Sequence, residues 1–157
     1  MKVVMSSEVS GYPLKEAVKK YLLERGYEIK DVGYDGKEAG ITYIDAAKRL
    51  VPYIQSGECE RGLIFCGSGA GVGVTANKFK GIYCVISESI YTAPKAAQIL
   101  NANVLAVGAK VVGEDNACEM CDLWLKESFC GGFDEEKTAR VSKMFETLQE
   151  TERENFK

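Results

Sequence analysis

Apolar and polar positions along the chain switch repeatedly between a period of two and a period near 3.6. Residues 2–6 (Lys-Val-Val-Met-Ser) read as a first strand, followed by the loop Ser7-Glu8-Val9-Ser10-Gly11. Leu14, Val18, Tyr21 and Leu22 then recur at helical spacing, with Pro13 in the first turn and Gly26 at the end, so a helix is predicted over about 12–25. Residues 27–32 alternate as a second strand, a loop rich in Gly and Asp covers 33–41, and Tyr43 to Ile54 reads as a helix ending near Gly57. The third strand, 61–66, holds the apolar run Gly62-Leu63-Ile64-Phe65 expected of a strand buried on both faces. A glycine-rich turn, Cys66 to Gly71, leads from it into a helix that runs to Lys78. Ile82 to Ile86 is a fourth strand and Tyr91 to Leu100 a fourth helix, where Pro94 is tolerable only in the first turn. Val104 to Val107 is a fifth strand, 113–127 a fifth helix, and 134–151 a last, highly charged one.

This βαβα alternation predicts an α/β fold: a three-layer, doubly wound, Rossmann-like domain with a five-stranded parallel sheet of order 2-1-3-4-5. The expected division is a Rossmann-like domain over 1–130 and a C-terminal helical extension over 131–157. In that extension the apolar set is sparse, with Val141, Met144, Phe145 and Leu148. Such a narrow stripe suits a helix lying on a partner subunit. The switch point of the sheet falls between strands 1 and 3, and ligands bind beyond the carboxyl ends of strands at such points. The loop after strand 1 carries Ser7 and Glu8, and the loop after strand 3 carries Cys66 and Ser68. Topology alone thus brings a carboxylate to a thiol.

Composition narrows the chemistry. The chain has 157 residues, enough for one domain with a real core, and a net charge of −3. That balance, without a Lys/Arg block, argues against an electrostatic nucleic-acid binder. No apolar run reaches the ~20 residues that span a bilayer, and Met1-Lys2-Val3-Val4-Met5 enters a strand directly, so a cytoplasmic protein with no membrane partner is expected. The six cysteines read as reduced thiols in that compartment. Cys118 and Cys121 form a lone C-x-x-C without a second pair, and no metal is expected there. The chain has no His, which removes every His-dependent triad or general base. Glycines at 67, 69, 71 and 73 miss the dinucleotide pattern G-x-G-x-x-G, and no triphosphate-binding G-x-x-x-x-G-K-[ST] is present.

The glycine turn itself can be read in two ways. A strand ending at a helix N-terminus presents unpaired N–H groups that hold a phosphate or a developing oxyanion, and such a position favours a thiolate. It can equally be a tight turn with a packed cysteine at a strand end.

The residues that decide between these readings are Gly11 with Leu14-Lys15-Glu16, Gly33, Tyr43 with Asp45, Cys66 to Gly71, Ala76-Asn77-Lys78, Tyr91-Thr92-Ala93, and the run Asn103 to Gly113. Over nearly its whole length the chain resembles the sugar-phosphate isomerase family that contains ribose-5-phosphate isomerase B and the galactose-6-phosphate isomerase subunits. The resemblance implies aldose–ketose interconversion through a cis-enediolate, with no cofactor and no metal. It implies Cys66 as the base, Ser68 assisting at the carbonyl oxygens, and the N–H groups of Gly67, Gly69, Ala70 and Gly71 on the enediolate oxygen. It further implies that Ser7, Glu8, Tyr43, Asn77, Asn101, Asn103 and Arg140 line the substrate site of a homodimer or tetramer.

The chain departs from the family pattern in three places. The usual S-D-H-A-G is Ser7-Glu8-Val9-Ser10-Gly11, the usual H-N pair is Ile99-Leu100, and the segment R-H-x-x-R-V is Phe133 to Val141, where Arg140 survives among Asp134, Glu135 and Glu136. The substrate expected is a small sugar phosphate, ribose 5-phosphate-like or four-carbon. The shorter sugar suits a site without its ring-opening imidazoles. The alternative is a silent sugar-binding homologue or subunit of the same fold.

Overall fold

The structure, a computed structural model, describes residues 1–156. Five parallel strands, β1 (Lys2–Ser7), β2 (Glu28–Asp31), β3 (Arg61–Cys66), β4 (Cys84–Ile86) and β5 (Val104–Gly108), form one sheet. The helices are α1 (Tyr12–Leu23), α2 (Tyr43–Gln55), α3 (Ala70–Ala76), α4 (Thr92–Leu100), α5 (Glu114–Lys126) and α6 (Glu135–Asn155), with a 3-10 turn at Val9–Gly11 before α1. The doubly wound, parallel α/β architecture is the one expected.

The strand order is not the one expected. It is β2-β1-β3-β5-β4 rather than 2-1-3-4-5, so the last two strands exchange places. β5 is five residues long and buried throughout, whereas β4 is three residues long and opens towards solvent at Ile86. The longer apolar strand therefore takes the inner position and the short one the edge. Crossover handedness favours the same arrangement. Right-handed crossovers put helices on opposite faces when the chain moves in opposite directions across the sheet. Stepping out to β4 and back to β5 sends α4 to the face of α1, away from α2 and α3. The expected order would have stacked α2, α3 and α4 on one face.

The two layers are accordingly even. One face packs Val3, Met5, Leu63, Phe65, Leu105 and Val107 under α1, α4 and α5, with Trp124 at its centre. The other packs Val4, Ile64, Val104 and Ala106 under α2 and α3. Small residues of α2, Ala46 and Ala47, allow close approach there, and Ser6 fixes the spacing by donating its hydroxyl to the Ala46 carbonyl at 2.8 Å.

Lys15 is a charged residue inside this framework, 1 % exposed. Its ammonium donates to both oxygens of Asp31, at 2.7 and 2.6 Å, and to the Tyr34 carbonyl at 2.9 Å, so all its donors are used. The cluster ties α1 to the end of β2 and to the loop that leads into α2. Burial alone would raise the Asp31 carboxyl, but hydrogen bonds from Lys15 and Lys19 outweigh it and hold the group below its ordinary value. A depressed carboxylate stabilises the fold above its unfolded value of 3.8, and the contribution disappears as pH falls through the lower, folded value. Denaturant midpoints measured downward from pH 5 should therefore drop more steeply for the natural chain than for Asp31→Asn.

The last helix differs from the others. Of its 21 residues only Val141 is buried, while Met144 and Leu148 stay exposed. Phe145 packs between Tyr83, edge-on at a centroid distance of 5.1 Å, and Phe129, tilted at 5.2 Å, and Glu152 accepts from the Gly81 N–H and the Tyr83 hydroxyl. The helix is thus pinned along one line to the amino-terminal edge of the sheet. Among the described residues, no helix is long and apolar enough to cross a membrane.

Candidate active site

Cys66 closes β3 beside Gly108 of β5, and the chain turns at once through Gly67, Ser68 and Gly69. Gly69 adopts φ 78°, a left-handed conformation that a side chain would strain, and it starts α3. The turn is fixed from the β5 side by two backbone bonds, Ala109 N–H to the Cys66 carbonyl and Lys110 N–H to the Gly67 carbonyl, each 2.9 Å. From the β1 side, Gly11 lays its bare Cα against the Phe65 carbonyl and the Cys66 nitrogen, where a Cβ would collide with backbone.

The Cys66 side chain is 5 % exposed, and its Sγ accepts the Gly69 N–H at 3.1 Å. Ser68 is exposed, with its Oγ 3.3 Å from the Ala70 N–H. The N–H groups of Gly71 and Val72 precede the first intrahelical bond of α3, from Gly73 to the Gly69 carbonyl at 3.1 Å. Tyr43 stands on the first turn of α2, which a Thr42/Asp45 capping box secures, and its ring covers Gly71 so closely that a Cβ there would lie 3.0 Å from it.

Glu8 reaches the mouth as the cap of the 3-10 turn. Its carboxylate accepts the Ser10 N–H at 2.9 Å and the Gly11 N–H at 3.0 Å, which orients it beside the strand that ends in Cys66. Ser7 is fully buried and its hydroxyl has no partner among the described residues. Strand alternation, with Ser7 in register with Phe65, turns it to the sheet face opposite Cys66.

One chain therefore brings together Glu8, Tyr43, Cys66, Gly67, Ser68, Gly69, Ala70 and Gly71. Four other expected site residues lie elsewhere. Asn77, at the far end of α3, exchanges both amide groups with the Cys84 backbone at 2.8 Å each. Asn103, just before β5, accepts from the Tyr83 N–H at 2.9 Å and donates to the Gly81 carbonyl at 2.7 Å. Asn101 caps α4 with φ 48°. Arg140 is exposed on α6, and the loop that leads into this helix is tied to α4 by the Cys130 N–H, which donates to the Gln98 carbonyl. All four sit towards the amino-terminal edge; Asn103, whose carbonyl accepts the Gly62 N–H, lies four residues of β3 from Cys66, about 13 Å along the strand.

Two residues at the mouth escaped the sequence reading. A Cβ on Gly67 would lie 3.5 Å from Ser10 Cβ and 3.7 Å from Lys110 Cδ, so both side chains border the turn. Lys110 forms no ion pair among the described residues and is exposed.

The sequence profile of the Ribose/Galactose Isomerase family matches residues 3–144. The chain belongs to that family. A protein of Clostridium sp. (strain MSTE9) named 4-deoxy-4-sulfo-D-erythrose isomerase is 40% identical over 135 residues, covering 86% of this chain and 85% of its own. The D-erythrulose-4-phosphate isomerase of Pectobacterium atrosepticum is 31% identical over 90% of this chain and 93% of its own. The solved structure of ribose-5-phosphate isomerase B from Clostridium thermocellum superposes with a TM-score of 0.88 at 36% identity, covering 98% of this chain and 99% of that one. As a ribose/galactose isomerase family member, the chain is a sugar isomerase of the aldose–ketose type.

Proposed function

We propose that the chain interconverts the aldose and ketose forms of a four-carbon sugar bearing a terminal anionic group, with Cys66 as the base. The observation that carries the short substrate is the ring-opening end of the site. Pentose and hexose phosphates are mostly closed rings, and opening one needs a proton donor and acceptor near the ring oxygen. The chain has no imidazole, and it offers Val9, 50% exposed on the 3-10 turn, and Ile99. Neither can move a proton. A four-carbon sugar substituted at its terminal carbon has no hydroxyl left to close a stable ring, and needs no such group. Two of the relatives above carry names of four-carbon isomerases.

The chemistry follows from the turn. The Cys66 thiolate removes the proton from C2 of the aldose, the N–H groups around Gly71 hold the enediolate oxygen, and the same thiol returns the proton to C1. C1 is reduced from aldehyde to alcohol while C2 is oxidised to ketone, so no outside oxidant or reductant enters. Ser68, exposed at the mouth, serves the two oxygens.

The working unit of this reading is a homodimer, or a tetramer of such dimers. Tyr43, Val74 and Ile86 are exposed around the glycine turn, and Leu100, Met144 and Leu148 are exposed along α4 and α6, bordering an apolar groove of about 240 Å³. A twofold axis that lays the second patch of one copy on the first patch of the other covers both, and carries Asn101 and Arg140 to the neighbour's thiol. Obligate interfaces bury on the order of 2,000 Å² or more.

The test is the ratio of kcat/KM for a four-carbon substrate and for ribose 5-phosphate, with deuterium exchange at C2 as the readout of enolisation. The ratio should favour the four-carbon sugar. A clear preference for the ring sugar would refute the reading and make Glu8 a replacement ring-opening acid. No exchange with any sugar would leave a silent homologue.

A further inference from the structure

Resting on the four-carbon reading above, we infer that the terminal anion of the substrate is a sulfonate, carrying one negative charge, rather than a phosphate carrying two.

The charges around the site set this preference. The cation that the fold brings to Gly67 is Lys110, whose side chain lies 3.7 Å from the Cβ position of that residue. On the other flank stands the Glu8 carboxylate, held by the Ser10 and Gly11 N–H groups. The two charges of a single chain therefore cancel. The segment that the proposed dimer carries to the same mouth is no better supplied. Arg140 and Lys137 share a cavity of about 220 Å³ with Asp134 and Glu136, and Glu135 adds a third acid to the first turn of α6. Two cations thus face three carboxylates.

A phosphate monoester has its second pKa at ≈ 6 and is mostly a dianion at neutral pH. A sulfonate is fully ionised but singly charged at any physiological pH. Each nearby carboxylate repels the dianion about twice as strongly, since Coulomb energy scales with charge. With Lys110 already offset by Glu8, the second charge of a dianion has no cation left to balance it and only adds to the repulsion.

The sulfonate also satisfies the apolar ring-opening end. Bonded through sulfur to C4, it replaces the hydroxyl with which a tetrose would close a five-membered ring, so Val9 and Ile99 meet an open chain. The anion is a spectator: no bond to sulfur forms or breaks, and the proton transfer at C1 and C2 is unchanged. The relative at 40% identity is named for a substrate of this class.

The experiment compares kcat/KM of the purified full-length chain for 4-deoxy-4-sulfo-D-erythrose and D-erythrose 4-phosphate, at about pH 7.5 and about pH 5.5. The sulfonate should be preferred roughly tenfold or more at the higher pH, and the margin should narrow at the lower one, where the phosphate becomes singly charged. Glu136→Gln should raise turnover of the phosphate more than that of the sulfonate. Equal use of the two sugars, or preference for the phosphate, overturns the inference and leaves the four-carbon reading standing. Turnover of ribose 5-phosphate with neither tetrose accepted overturns both.

Discussion

Cys66→Ala is expected to lower kcat/KM by roughly 10²–10⁴-fold, the usual cost of removing a general base, and to abolish deuterium exchange at C2. The fold should persist, because the side chain is small and loses a single hydrogen bond, the one from the Gly69 N–H at 3.1 Å. Cys66→Ser should fail almost as completely, since a hydroxyl in the same place is a far weaker base than a thiolate. Alkylation by iodoacetamide offers an independent check on the natural protein. Burial pushes the Cys84 thiol up to about 12 and the Cys118 thiol to about 11, and raises Cys59 and Cys121 as well. Those thiols are therefore poor nucleophiles at neutral pH. Cys130 is the more exposed of the two remaining thiols and can be labelled as well, but peptide mapping should find that inactivation and substrate protection track Cys66. An active Cys66→Ala enzyme would transfer the proton-moving role to Glu8, which the 3-10 turn already presents beside β3.

How much of this was legible beforehand depended on the range of the interactions involved. The five strands and the glycine turn are local features, written in short apolar runs and in Gly69, whose left-handed backbone only a turn of this kind demands. Their sequence positions came out within a few residues. The order of β4 and β5 is not local. It depends on which strand can be covered on both faces, and so on three residues competing with five for the place beside β3. That single exchange had a chemical consequence. With β5 next to β3, it is the loop after β5 that borders the site, and Lys110 comes with it. In the expected order the loop after β4, Ser87 to Ser89, would have stood there. Instead Ser87 is buried, its hydroxyl 2.8 Å from that of Thr92. Asn77 and Asn103 illustrate a different gap. An asparagine in a motif says nothing about whether its amide meets a ligand or a backbone, and here both brace the loop that enters β4.

The other large effect concerns Arg140 and where it acts. Within its own chain it stands on α6, at the edge of the sheet away from Cys66, so Arg140→Ala should leave the neighbouring fold untouched. If the dimer closes as proposed, the same substitution removes a cation from the partner's substrate and should reduce kcat/KM by one to two powers of ten, about 1.4 kcal/mol for each. The effect should fall mainly on KM, because the terminal anion is held alike in the ground state and in the transition state. A mixture then separates the two geometries. Cys66→Ala and Arg140→Ala chains, unfolded together and refolded, form mixed dimers in which one site carries both defects and the other carries neither. With random pairing about half of the dimers are mixed, so about a quarter of all sites regain full function. Activity should rise well above that of either variant alone. If each site were completed by its own chain, every site in the mixture would keep one defect and no recovery would follow. Sedimentation of the natural protein as a fully active monomer would have the same meaning: a single chain would have to bring Arg140 from the far edge of the sheet to serve its own thiol.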